Sequence, residues 1–326
     1  MFAQLRRPIL WILLTLLLAA PVGAQESTPE PEPGAPAPSA TPEPLPTRGP
    51  RPRSFAITND DRAALQFFFE NVVPQGQTRL ARVVGDDIVA VRADWLGSVV
   101  DFWPADDGSY YGLLAADMET PISNSNPLAV TVTYRDGASS TLNANAPIVQ
   151  GSFINQSLTI PAAKGYLLDP VTERAELARL GVVTARSTPE RRWDASGFIL
   201  PIQAGLNSPF GAVRTFNGTY RTRHTGWDIR VVGGQPVAAM AAGTIVLVDT
   251  LPIRGHYVLI DHGYGVYSGY AHLAEVFVDV GHRVDQGSVI GTVGDNGRTS
   301  GPHFHWETAV DGVWVDSVHL LEMWMP

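Results

Sequence analysis

The sequence predicts a mainly β protein: an N-terminal β-sandwich followed by a C-terminal antiparallel β domain. Three observations carry this. Between residues 54 and 150, short runs of strand-forming residues recur about every ten residues, with polar turns between them. From Gly197 onward, aliphatic runs alternate with glycine turns. Between the two, Asp169-Pro170 opens a stretch with helix signals.

In chain order, residues 1–24 read as a secretory signal peptide. Arg6 and Arg7 precede the leucine-rich run Ile9–Ala20, and Val22-Gly23-Ala24 supplies small residues before Gln25. The run is shorter than the roughly 20 residues that span a bilayer. Cleavage is therefore favoured over anchoring, which leaves no stable membrane span and places the protein outside the cytoplasm. Residues 25–53 contain ten prolines and little that can be buried. They predict an extended, disordered linker.

Residues 54–150 are expected to form the sandwich. Strands are predicted at Arg79–Val84, Ile88–Trp95, Val99–Trp103, Tyr110–Ala115, Leu128–Tyr134 and Leu142–Val149, with turns such as Gly85-Asp86-Asp87 and Arg135-Asp136-Gly137. A short helix is predicted over Asp60–Asn71. Residues 151–197 form a connector. Its helix starts with Pro170 at the first position and runs through Leu180, with Gly181 just past its end. In 198–326, strands are predicted at Pro236–Ala239, Thr244–Asp249, Tyr257–Asp261, Gly265–Tyr270, Arg283–Asp285, Val289–Val293, His303–Thr308 and Val313–Val315.

Composition narrows the chemistry. The 326-residue chain is 44% hydrophobic, too little for a multi-span membrane protein, and its net charge of −9 argues against nucleic acid as a partner. It has no cysteine, so any metal must be held by His, Asp or Glu. All eight histidines (224, 256, 262, 272, 282, 303, 305 and 319) fall in the last third. On a strand, His303 and His305 point to one face. His224 and Asp228, an even interval apart, also share a face when extended, and Gly226 opposes a helix there. Two imidazoles and a carboxylate make a set that zinc accepts, with one position left for water. The absence of H-E-x-x-H excludes the helical metalloprotease arrangement.

Three motifs occur in the order His224-Thr225-Gly226-Trp227-Asp228, Tyr270-Ala271-His272-Leu273 and Gly301-Pro302-His303-Phe304-His305. With Ala242-Gly243-Thr244-Ile245-Val246 and Tyr257-Val258-Leu259-Ile260-Asp261-His262-Gly263, the stretch 199–326 resembles the lysostaphin-type or LytM-type zinc endopeptidases of bacterial cell walls, with their duplicated-hybrid-motif β fold. The resemblance implies a LytM-type peptidase domain over 198–326 with one zinc ion. His224, Asp228 and His305 match its ligands. His272 and His303 match the catalytic pair beside the metal, one acting as general base and the other as donor to the oxyanion or leaving amine. The implied substrate is the peptide part of peptidoglycan. The alternative, a non-catalytic activator or binding module of wall hydrolases, is what loss of ligands would bring, and here the set is intact. The upstream part resembles the immunoglobulin-like domain of secreted relatives, on strand spacing and on Thr188-Pro189-Glu190-Arg191. An intramolecular contact between that sandwich and the peptidase groove is compatible with this layout. Trp227 replaces a smaller apolar residue of the family, which implies altered packing but intact ligation. His256 stands where asparagine is common. His262 is expected to be structural, and His282 and His319 to be surface or satisfied residues. Glu307 and Asp261 are candidates to orient ligand imidazoles.

Overall fold

The computed structural model describes residues 52–68 and 70–326. The leader at 1–24 and most of the linker at 25–53 lie outside the described residues. Among the described residues, no helix is long and apolar enough to cross a membrane.

The chain first lays down β1 (Ser54–Asn59), β2 (Ala63–Phe68), β3 (Val73–Pro74), β4 (Thr78–Gly85), β5 (Ile88–Trp95), β6 (Ser98–Asp101), β7 (Trp103–Pro104), β8 (Tyr110–Ala115), β9 (Pro127–Tyr134), β10 (Ser139–Asn145) and β11 (Ile148–Val149). Nine of them build two antiparallel sheets, β1-β2-β4-β8-β7 and β10-β9-β5-β6, while β3 and β11 pair in parallel. The period-2 pattern decides which side chains enter the core. In β9, Leu128, Val130, Val132 and Tyr134 are buried while their neighbours are not. They meet Leu65, Phe67, Ala81, Val83 and Leu114 of the other sheet in one shared cluster. The buried Trp95 indole donates across the two sheets to the Ala115 carbonyl at 2.7 Å.

The helix predicted over Asp60–Asn71 is not formed. Ala63, Leu65 and Phe67 alternate into the core as strand β2, which pairs with β1 on one side and β4 on the other. Asp60 closes a turn instead, its Oδ1 accepting from the backbone N–H groups of Arg62 and Ala63. Two ladders satisfy more backbone than an isolated three-turn helix, and burial of the alternating face adds to that.

The connector contributes β12 (Asn155–Leu158), a 3-10 segment at Ala162–Leu168 and α1 (Pro170–Thr184). The Asp169 carboxylate caps α1 by accepting from Val171 N (3.1 Å) and Thr172 N (3.0 Å), with proline following it. The helix runs past Gly181, its predicted stop, to Thr184. Leu180 and Thr184 are fully buried, and Thr184 Oγ1 donates to the Leu180 carbonyl, so packing holds the last turn despite the glycine.

The remaining strands are β13 (Leu206–Ser208), β14 (Val213–Phe216), β15 (Tyr220–Arg223), β16 (Gly226–Ile229), β17 (Pro236–Ala238), β18 (Gly243–Leu251), β19 (Gly255–Gly263), β20 (Val266–Val276), β21 (Arg283–Val284), β22 (Val289–Val293), β23 (Phe304–Val310) and β24 (Val313–Val315), before α2 (Ser317–Glu322). The main sheet runs β13-β16-β23-β20-β19-β18-β21, with β22 joined to β20, β17 to β22 and β24 to β23. Strands β19 and β20 are covered on both faces: Val258, Ile260 and Tyr270 enter one cluster, and Tyr257, Leu259 and Tyr267 another. Strand β12 pairs in parallel with β14, so the connector extends the small sheet β12-β14-β15.

The outer face of the first sandwich sheet is also buried. Phe68, Leu80, Trp103, Tyr111 and Leu113 share a cluster with Trp193, Phe198, Leu320 and Met325. The Trp103 and Trp193 rings meet edge to face, their centroids 5.2 Å apart. His319 Nε2 donates to the Thr78 carbonyl at 3.1 Å, and Asp316 N to the Gly76 carbonyl at 2.7 Å.

Candidate metal centre

Backbone register builds the site. Strands β16 and β23 pair antiparallel with Asp228 directly opposite His305 and Gly226 opposite Glu307. The absence of a side chain at Gly226 lets the strands close, since a Cβ there would stand 2.3 Å from the Trp306 carbonyl oxygen. His224 lies just before β16, held by His224 N to Ala212 O and Gly211 N to His224 O.

The three side chains converge. Asp228 Oδ1 is 3.1 Å from His224 Nε2 and 2.9 Å from His305 Nδ1, and the two nitrogens are 3.0 Å apart. All three residues are buried. The far nitrogen of each ring is engaged: His224 Nδ1 faces the Pro209 carbonyl at 2.8 Å, and His305 Nε2 faces Glu307 Oε2 at 3.2 Å. Each of these partners only accepts, so each far nitrogen carries the proton. In the neutral tautomers this leaves two bare nitrogens and a carboxylate oxygen pointing at one another. Three acceptors within 3.1 Å, with no donor among them, are a repulsive arrangement that a cation would relieve. On that ground the donor set fits a divalent metal that accepts nitrogen and oxygen, as zinc does.

At His224 and Asp228 the electrostatics agree. Burial, followed by the Arg214 cation, pushes the His224 imidazole down to about 3 and keeps it neutral. Burial works to raise the Asp228 carboxyl, but His224 and Arg214 outweigh it and hold it well below the usual range. Arg214 Nη2 donates to Asp228 Oδ2, leaving Oδ1 for the centre. At His305 the electrostatics pull the other way: burial opposes protonation, yet its contacts with Asp228 and Glu307 prevail and raise it, so a cation would compete with a proton for this nitrogen.

His272 and His303 sit beside this trio. Their ring centroids are 4.8 Å apart, and His272 is 5.9 Å from His305 by the same measure. Both give their Nδ1 proton to a backbone carbonyl, His272 to Asn296 and His303 to Gly301. His303 Nε2 lies 3.5 Å from Asp228 Oδ1. Burial, then the neighbouring His303 and His305, pushes His272 well below the ordinary histidine range. Its backbone has φ +58, a conformation that non-glycine residues rarely adopt, and such strain concentrates at working sites. The site opens into a groove of about 330 Å³ whose walls include Arg214, Arg230, Thr299 and Pro302.

The other sequence candidates divide. Glu307 is fully buried and contacts His305 directly. Asp261 lies elsewhere, bonded to Thr188 and Arg192. His262 is a buried structural residue between Ala242 O and Ser268 Oγ, pushed down to about 4 by burial. His282 accepts from Asp279 N, and His256 faces Ala274 O. Trp227 donates its indole N–H to Asp316. Sequence reasoning missed Arg214 and Arg254. Arg254 is 5% exposed and grips both oxygens of Glu307, at 2.6 and 2.8 Å. The signal that could have found it is an arginine between two aliphatic strands, where a charge persists only if paired.

The sequence model described as Peptidase family M23 matches residues 222–317. The peptidoglycan DD-endopeptidase ShyA of Vibrio cholerae is 38% identical over 89 residues, 27% of this chain and 21% of that protein. The DD-carboxypeptidase/endopeptidase Mpg of Neisseria meningitidis is 37% identical over 136 residues, 38% of this chain and 31% of that protein. The chain thus spans less than a third of the length of these two curated relatives. A Pseudomonas aeruginosa crystal structure labelled peptidase M23 superposes with a TM-score of 0.58 at 24% identity. It covers 78% of this chain and 95% of its own, a likeness of fold.

Proposed function

We propose, from the premise that residues 222–317 are a peptidase domain of family M23, that this protein is a secreted zinc-dependent endopeptidase. Its substrates are peptide bonds in the stem peptides or cross-bridges of bacterial peptidoglycan. The observation that carries the reading is the convergence of three buried acceptors from His224, Asp228 and His305 with no donor among them. The peptidoglycan endopeptidases among the relatives supply the substrate class.

His224, Asp228 and His305 would hold one zinc ion. When bound, the metal supplies Lewis acidity towards a carbonyl oxygen and a water. The chain's own residues do the rest. Arg214 fixes one oxygen of Asp228 and Glu307 fixes the ring of His305, so the ligands keep their orientation. His272 and His303 each have Nδ1 tied to a carbonyl, leaving Nε2 to handle protons. One takes a proton from the attacking water, and the other gives one to the oxyanion or the leaving amine. Low basicity suits His272 to staying neutral. The upstream sandwich at 54–150, which we read as immunoglobulin-like, and the connector at 151–197 complete a five-part layout with the leader at 1–24, the linker at 25–53 and the peptidase at 198–326.

The test is a zymogram on purified cell walls with two variants. His305→Ala is expected to lose zinc and clearing together. His303→Ala is expected to keep near-stoichiometric zinc while turnover falls by about 10²-fold or more, the scale of a lost acid–base group. Chelator should abolish wild-type clearing and added zinc restore it. Clearing that survives chelation, or zinc lost from His303→Ala but kept by His305→Ala, would overturn the assignment.

A further inference from the structure

Two chains of contacts, the first buried and the second half-buried, start on the connector and end on the side chains proposed to hold the metal. The first leaves α1. Glu176, 4% exposed, accepts from Ile253 N (2.7 Å), Arg254 N (3.2 Å) and Arg254 Nη1 (2.8 Å). Arg254 passes its Nε and Nη2 to Glu307, whose Oε2 faces His305 Nε2 at 3.2 Å. The second leaves β12. Gln156 Oε1 accepts from Ser208 Oγ (2.7 Å) and Arg214 Nε (3.4 Å), and Arg214 Nη2 reaches both Ser208 Oγ and Asp228 Oδ2. Neither Glu176 nor Gln156 falls within the family match at 222–317.

We infer that the connector is a working part of the metal centre, with Glu176 and Gln156 acting as positioning residues for His305 and Asp228. The inference rests on the metal reading above. Its physical basis is the demand of a buried guanidinium. Arg254 has donors directed at Glu307, Thr225 and Glu176. Without Glu176, one N–H and two backbone amides lose their acceptor in the interior, and Arg254 no longer has a fixed seat from which to hold Glu307. The ring of His305 is then free to turn. Gln156 does the same for Arg214, and through it decides which oxygen Asp228 offers to the ion. Because coupling is reciprocal, bound metal must also hold the connector in place.

The experiment measures zinc affinity of the full chain by competition with a chromogenic chelator. The variants are Glu176→Gln, Gln156→Ala and, as control, Glu173→Gln. Glu173 lies one turn earlier on the same helix and makes a comparable ion pair with Arg298; it also accepts from Tyr220 and Thr222 of β15, but touches no ligand side chain. Glu176→Gln is expected to weaken zinc binding by about tenfold or more, as outer-layer partners do, and Gln156→Ala to weaken it several-fold. Glu173→Gln should stay within about twofold of wild type, which a merely structural role for the helix would not allow. Equal losses in Glu173→Gln and Glu176→Gln, or wild-type affinity in Glu176→Gln, overturn the inference. A wild-type chain that binds no zinc overturns the metal reading first and this inference with it. A second measurement needs no variant: hydrogen exchange of wild type with zinc and with chelator. The amides of α1, Ile253 and Arg254 should gain protection with zinc relative to β4 and β8. Unchanged protection there counts against the coupling.

Discussion

At the scale of single residues, buried ionisable groups are where this protein concentrates free energy. Asp311 shows it away from the candidate metal site. Burial, with the Asp101 charge adding to it, raises its carboxyl from 3.8 to about 7. A folded-state value above the unfolded one means that the contribution to stability is complete below about pH 4 and is lost as pH rises through about 7. Asp311→Asn removes that loss, and asparagine tolerates the positive φ of +47 at this turn. The variant should match wild type at pH 4 and exceed it at pH 8 by up to about 4 kcal/mol, read from urea midpoints at the two values. An advantage that shrinks with rising pH would refute the sign. The same contrast explains what was legible in the sequence. His224, Asp228, His303 and His305 were visible because histidines cluster in recognisable spacings. Arg214, Arg254, Glu176 and Gln156 were not, because their partners are brought together only by folding and no spacing marks them.

At the scale of elements, pattern reading worked wherever one periodicity dominated. Strand β5 runs over Ile88–Trp95 as predicted, and β22 over Val289–Val293. It failed where local and tertiary demands compete. The stretch around Ala63–Phe68 became a strand because β1, unforeseen in the sequence, offered it a partner. The helix α1 overran Gly181 because Leu180 and Thr184 are buried. Strands β12 to β15 were missed because their three or four residues are mostly polar, without the aliphatic run that marks β24 or β22. The N-terminal end of α1 was legible because Asp169-Pro170 is a local signal. Asp169→Ala should lower the denaturation midpoint with an unchanged denaturant slope, as loss of a helix cap does. A neutral result would show that Pro170 and the packing of α1 suffice.

At the scale of the whole molecule, the sandwich and the C-terminal sheet share an apolar core. One cluster runs from Phe68 and Trp103 through Trp193 into Tyr270 and Phe304. Trp193, 2% exposed, bridges it, together with Trp324 and Tyr264, whose rings also pack against the sandwich. Trp193→Ala should cost roughly 3–5 kcal/mol and split a single calorimetric unfolding transition into two, one for each part. A single transition with an unchanged midpoint would argue that the polar contacts of His319 and Asp316 carry the joint. This level was the least legible, because the outer face of the first sandwich sheet reads as an ordinary apolar surface until its partner is known.

The pairing of Asp228 opposite His305 joins positions 77 residues apart. A slip of one place along that ladder would turn the imidazole to the opposite side of the sheet. Ion capture must therefore come after the long-range strands have met, as a late event in the life of the chain. Under the function proposed above, a nascent polypeptide emerging through an export channel would carry no loaded centre, and the proposed hydrolysis would begin only once the chain had folded at its destination.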